Sequence, residues 1–198
     1  MKQLLLATRN KHKAKEFQEL LNDLHIEVLT LESFPHIGEV VEDASTLEGN
    51  ALKKAHEVFR GAGIPTLADD TGLEVYYLNG EPGVYSSRYA GEKATYADNV
   101  KKLLRELRGV PARRRAARFR CVLAFIAPGD VEHHTEGICP GVIIEEPRGA
   151  NGFGYDPIFV PDGFAETFAE MDSATKNHIS HRGRAMQAFK EYLRNFRG

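Results

Sequence analysis

Two adjacent carboxylates inside an apolar run constrain this chain more than any other feature. Leu67-Ala68-Asp69-Asp70-Thr71-Gly72-Leu73 lies near the end of a run that starts at Ile64, and Glu74 to Leu78 reads as a further strand beyond it. In a strand, neighbouring side chains point to opposite faces, so at most one of Asp69 and Asp70 faces the core without a partner. A buried, unpaired carboxylate is costly and calls for a cation, a metal or a group of backbone N–H donors. The plain alternative is an Asx turn, in which Asp and Thr bond their own backbone before Gly72 takes a positive φ.

The flanking sequence alternates strand and helix. Leu4 to Ala7 reads as a buried strand, followed by the polar loop Thr8-Arg9-Asn10-Lys11-His12-Lys13 and a helix with Phe17, Leu20, Leu21 and Leu24 on one face. A basic loop between a strand end and a helix start is where α/β proteins hold anions, because free N–H groups and the helix dipole favour negative charge there. Thr8 and Asn10 supply donors and Lys13 a charge; alternatively Asn10 is an N-cap and the lysines are solvated. No Walker pattern is present. Ile26 to Leu29 is a second strand. An acidic loop with Glu39, Glu42 and Asp43 leads to Ser45-Thr46-Leu47-Glu48, which fits a capping box with Ser45 as cap and Glu48 reaching back. The helix that follows ends near Gly61 and Gly63. Glu42 has no comparable structural duty and points at a cation or into water.

The second half reads as a β-rich meander. Asn79-Gly80 is a hairpin turn, Val100, Leu103, Leu104 and Leu107 mark a helix, and Phe119 to Ala127, Val131 to Ile138 and Val142 to Ile144 are strands. The arginines at 113, 114, 115, 118 and 120 read as a solvated edge, since the net charge of −2 and a pI near 6.5 argue against a nucleic-acid binder. Gly149-Ala150-Asn151-Gly152-Phe153-Gly154-Tyr155-Asp156-Pro157 lacks the G-x-G-x-x-G spacing of dinucleotide sites. It offers bare backbone for a flat ligand, aromatic faces to stack on a base, and Asp156 to accept from ring N–H groups; the alternative is a turn whose rings pack on Ile158 to Val160. Ser180 caps a final helix whose core face is Met186, Phe189, Leu193 and Phe196, and Lys176, His181 and Arg182 cluster at its start. His178 and His181 lack further ligands at zinc spacing. At 198 residues the chain is one domain with two lobes; no segment is of transmembrane length and two cysteines make no disulfide framework, so a cytoplasmic protein without membrane contact is expected.

Three cation-bearing loops, one aromatic glycine loop and two acidic stretches together suit a polyphosphate, a base and Mg²⁺, which carboxylates and phosphates hold. Thr8-x-Asn10-x-x-Lys13, Leu67 to Leu73, Gly152-Phe153-Gly154-Tyr155-Asp156-Pro157 and Ile179-Ser180-His181-Arg182 resemble, in order and spacing, the signatures of the inosine triphosphate pyrophosphatase family, over residues 4 to 197. The resemblance implies hydrolysis of ITP, dITP or XTP to the monophosphate and pyrophosphate. It implies an α/β fold with an elongated mixed β-sheet, two α/β lobes flanking a nucleotide cleft, and a homodimer. By position, Asp70 is the catalytic acid/base and a Mg²⁺ ligand, with Glu42 as the other ligand. Thr8, Arg9, Asn10, Lys13, Thr71 and Lys176 hold phosphates or line their site. Phe153 stacks on the base, with Gly154 and Tyr155 beside it, and Asp156, His181 and Arg182 read the base edge. Three positions depart from the family pattern: Thr71 stands for Ser, Ala150-Asn151 for Thr-Gly, and Gly49 for the Glu before Asn50. Glu48 lies about 100° away around the helix and is no simple substitute. Two rival readings are a pyrophosphatase for pyrimidine or modified-base nucleotides and a non-enzymatic nucleotide-binding module.

Overall fold

The computed structural model describes residues 1–196; residues 197 and 198, which include the end of the span expected from the motifs, lie outside the described residues. The chain forms a mixed α/β structure of seven strands and five α-helices among these residues. The strands are β1 (Gln3–Leu6), β2 (Glu27–Thr30), β3 (Thr66–Val75), β4 (Pro82–Gly83), β5 (Ala116–Ala127), β6 (Val131–Ile143) and β7 (Phe159–Pro161). The helices are α1 (Lys11–Leu21), α2 (Leu47–Ala62), α3 (Tyr96–Glu106), α4 (Ser173–Ile179) and α5 (His181–Asn195). Strand order is β2-β1-β3-β5-β6-β7, with β4 paired to β3.

The chain divides into two compact units. The first holds Met1–Asp70, Cys121–Gly137 and Arg182–Gly198; the second holds Thr71–Arg120 and Ile138–His181. In the first unit, β1 pairs in parallel with β2 and with β3, Leu6 lying opposite Thr30 and Leu67. Parallel strands are covered on both faces, and β1 accordingly runs apolar from Leu4 to Leu6, each at most 1% exposed. Phe17 and Leu21 of α1, Phe125 of β5 and Met186 and Phe189 of α5 close this core. The second unit packs Leu73, Val100, Leu103, Phe119, Phe159 and Phe168.

Several local expectations are revised. The segment from Thr66 to Val75 is one strand, with Gly72 extended inside it, so no Asx turn interrupts the aspartates; a short 3₁₀ turn, Tyr76–Leu78, replaces the expected second strand. Val131–Ile143 is likewise continuous, because Gly141 lets β7 approach: a Cβ there would stand 2.3 Å from the Val160 carbonyl oxygen. The cap of α2 is Thr46, which accepts from the Gly49 N–H at 3.0 Å, and Glu48 turns instead toward His134 at 3.5 Å. Helix α4 was not foreseen. The arginine run is not wholly solvated: Arg115 is 3% exposed with its guanidinium donating to the Leu107 carbonyl, and Arg118 and Arg120 both bind Glu74.

Candidate active site

The order β2-β1-β3 places a topological switch point between β1 and β3, and ligands of such sheets bind outside the carboxyl ends of the strands flanking it. There β1 gives way to Thr8–Asn10, while β3 continues past its last pairing with β1 into Asp69 and Asp70. Asn10 caps α1, its Oδ1 accepting from the His12 and Lys13 N–H groups at 3.0 and 3.3 Å, and its own N–H donates to Thr8 Oγ1 at 3.2 Å. The cap reading of Asn10 is thus realised, and it aims the first turn of α1 so that Lys13 reaches β3. Arg9 is exposed, donates to the Ile37 carbonyl, and with Thr8, Lys11 and Lys15 lines a cavity of about 320 Å³.

Strand alternation separates the two aspartates. Asp69, 1% exposed, pairs with Lys13 Nζ at 2.7 Å. Burial pushes the Asp69 carboxyl up, but Lys13, Arg182 and Lys54 outweigh it and hold it at about 2. Burial likewise pulls Lys13 down, and the carboxylates of Asp69 and Asp70 prevail over it and over Arg182, so its ammonium ends above the ordinary lysine value. Asp70, 6% exposed, accepts from Asn50 Nδ2 at 3.0 Å. Its carboxyl is raised, first by burial and further by Glu42, against the lowering pull of Lys13, Lys54 and the Asn50 hydrogen bond. One aspartate is a committed anion tied to a lysine; its neighbour holds a proton more readily than an ordinary aspartate, chiefly because it is buried.

Helix α2 contributes two residues that the sequence reading did not assign to the site. Asn50, 1% exposed, bridges Asp70 to the acidic loop by accepting from the Ala44 N–H at 2.8 Å. Lys54, one turn on, donates to the Asp69 carbonyl at 2.7 Å and ion-pairs with Glu42. The signal was their i, i+4 spacing beside the apolar face of α2. Gly49 is sterically matched to this loop: a Cβ would lie 2.9 Å from Ala44 Cβ, so a larger residue there requires the loop to move.

Glu42 and Asp70 are hard oxygen donors close enough for one to shift the other. Among the described residues no group of three or more His, Cys, Asp or Glu gathers for a metal. That donor set fits Mg²⁺, which takes one or two carboxylates and completes its shell with water and substrate phosphates.

The second unit carries the aromatic group. Gly152 and Gly154 hold φ values of +71° and +62°, which glycine adopts without strain. Asp156, 3% exposed, accepts from the Phe153 N–H at 2.8 Å and from Lys176 Nζ at 2.7 Å. Lys176, expected among the phosphate ligands, thus stands beside Phe153, its Nζ 5.1 Å from the ring centroid. Phe153 is half-buried, whereas Tyr155 belongs to the core and donates its hydroxyl to the Ser86 carbonyl at 2.9 Å. The Tyr155 ring thus packs in the core, and burial raises its phenol. His181 stacks on Phe119 with centroids 4.6 Å apart. Arg182, in the first unit, ion-pairs with Glu16 and lies over Phe17. Thr71, next along β3 after Asp70, opens the second unit.

Known proteins share this sequence and fold. A dITP/XTP pyrophosphatase of Geobacter sulfurreducens is 48% identical over 193 residues, covering 98% of this chain and 97% of its own. Another protein of that description, from Shouchella clausii, is 47% identical over 98% of this chain and 97% of its own. The solved structure of a HAM1 protein from Coxiella burnetii is 41% identical, with a TM-score of 0.89, and covers 99% of this chain and 100% of that one. The Ham1 family profile matches residues 4–192. In keeping with the resemblance its four motifs carry, the chain belongs to the Ham1 family.

Proposed function

We propose that this protein is a Mg²⁺-dependent nucleoside triphosphate pyrophosphatase acting on the noncanonical purine nucleotides dITP, XTP and ITP. Its work would be to remove such nucleotides from the cytoplasmic pool, as a homodimer. The observation that carries this reading is Asp70, a buried carboxylate with a raised proton affinity, tied by Asn50 to the loop that bears Glu42. It stands on a chain nearly half identical to proteins described as dITP/XTP pyrophosphatases.

Water attacks the α-phosphorus, the bond to the bridging oxygen breaks, and the products are the nucleoside monophosphate and pyrophosphate. Asp70 orients the water and takes its proton as the new P–O bond forms. Glu42 and Asp70 would hold the metal, which when bound neutralises charge on the phosphates. Thr8, Asn10 and Lys13, at the start of α1, bind phosphate oxygens. Phe153 takes the base, and Lys176 is the cationic donor beside it. A 6-keto oxygen accepts such a donor, whereas the 6-amino group of adenine leaves it unpaired, at a cost of about 1–3 kcal/mol.

The test is pyrophosphate release from dITP, XTP, ITP, dUTP, ATP and GTP at equal concentration. Turnover of dITP, XTP and ITP at least tenfold above the rest supports the reading. Preference for dUTP would make it a pyrimidine enzyme, and tight dITP binding without product a binding module.

A further inference from the structure

Helix α3 brings a second ring to Phe153. Tyr96 is its first residue, and the turn that carries it is fixed by a capping box: Thr95 N–H and Oγ1 donate to Asp98 Oδ2 at 3.0 and 2.6 Å, and Asp98 N–H returns to Thr95 Oγ1 at 3.2 Å. One turn on, buried Asn99 accepts from the Ala90 N–H and donates to the Ser87 carbonyl, and Val100 and Leu103 enter the core. The backbone under Tyr96 is thus anchored, while its side chain remains 40% exposed.

The two rings form a wedge. Their centroids are 5.8 Å apart and their planes 44° from parallel. Phe153 is held on its own side by the hydrogen bond to Asp156 and by Lys176 near its face. A planar base sandwiched between two rings needs about 7 Å between them, two carbon contact distances of about 3.5 Å. The wedge is about 1 Å short of that and already open on one side. An exposed side chain on an anchored turn can supply the difference by rotating, with no movement of α3.

We propose that Tyr96 is the second aromatic wall of the base subsite, so that the purine stacks between Phe153 and Tyr96. This inference rests on the proposed pyrophosphatase reading. Sequence reading missed Tyr96 because it opens a helix more than fifty residues before the glycine loop, with no motif to mark it.

The experiment compares wild type, Tyr96→Ala, Tyr96→Phe and Phe153→Ala by steady-state kinetics on dITP, with inhibition by tripolyphosphate, which has phosphates and no base. Loss of one stacking ring raises KM for dITP about tenfold in Tyr96→Ala, with kcat within about twofold and tripolyphosphate inhibition unchanged; Tyr96→Phe behaves as wild type. An unchanged KM in Tyr96→Ala alongside a raised KM in Phe153→Ala overturns the inference. So does equal weakening of dITP and tripolyphosphate, which shows that Tyr96 acts through the fold. If wild type fails to hydrolyse dITP, or Phe153→Ala binds it normally, the underlying assignment of the site fails instead.

Discussion

Replacing Lys13 by methionine keeps most of the side-chain volume and removes the charge that sits 2.7 Å from Asp69. Asp69 is 1% exposed, away from bulk water. Removing one partner of a buried ion pair costs about 3–5 kcal/mol, because the other charge is stranded. Arg182 and Lys54 still act on Asp69, so the lower end, about 3 kcal/mol, applies. For a chain of this length that is a fall in Tm of about 6–12 °C. The pH dependence carries a sign. Asp69 is held at about 2 against an ordinary 3.8, so its charged form adds about 2 kcal/mol of stability above pH 3.8, lost as pH falls through 2. Lys13→Met removes the largest of the attractions behind that contribution, and its stability deficit relative to wild type narrows in acid. Denaturant melts of wild type, Lys13→Met, Asp69→Asn and the double variant, from pH 2 to pH 7, measure it. The double variant should recover at least about 2 kcal/mol relative to the sum of the singles. Single variants costing under about 1 kcal/mol, with no coupling, would refute the pairing as the anchor of α1 on β3.

Asn50→Ala strips one hydrogen bond from the Asp70 carboxyl group and one from the Ala44 N–H, costing about 2–4 kcal/mol; thermal melts give the loss, and Mn²⁺ titration should show weaker binding because the Glu42 loop is untied. Gly152→Ala would place a Cβ 2.1 Å from Asp156 Oδ2 at a φ of +71°, and is expected to cost about 2–4 kcal/mol from clash and backbone strain, read by denaturant midpoint. Removal of Mg²⁺ by chelation should abolish turnover, and Glu42→Gln should raise the Mg²⁺ concentration for half-maximal rate about tenfold while leaving dITP binding without metal unchanged; an unshifted Mg²⁺ curve would remove Glu42 from the metal site.

The alternation of strand and helix in the first unit was legible because each element carries its own period: β1 is apolar from Leu4 to Leu6, and α1 and α2 show one buried face with Asn10 and Gly63 as boundaries. Less legible was anything decided by pairing partners. Thr71-Gly72 carries turn chemistry, yet β3 pairs with β1 at Thr66 and Leu67 and with β4 at Leu73 and Glu74, and this keeps the intervening residues extended. Strand alternation is local, and it separates the aspartate doublet as the sequence implies: Asp69 pairs with Lys13 and Asp70 with Asn50. Its connection to Glu42 through Asn50 and Lys54 was hidden, because it depends on how α2 lies beside β3. The glycine loop shows the same divide. Two rings two residues apart look equivalent in sequence, but Tyr155 enters the core while Phe153 stays half-exposed beside Lys176. The partners of the two buried cations depended on the fold in the same way: Arg182 pairs with Glu16 and lies over Phe17, and Lys176 pairs with Asp156 beside Phe153.

The most direct test of the account is product analysis of dITP incubated with Mg²⁺ and either wild type or Asp70→Asn. Wild type should give dIMP and pyrophosphate in equal amounts, and Asp70→Asn, which keeps the shape and loses the proton acceptor, a rate at least about 100-fold lower. Full turnover by Asp70→Asn, or orthophosphate in place of pyrophosphate from wild type, would contradict it.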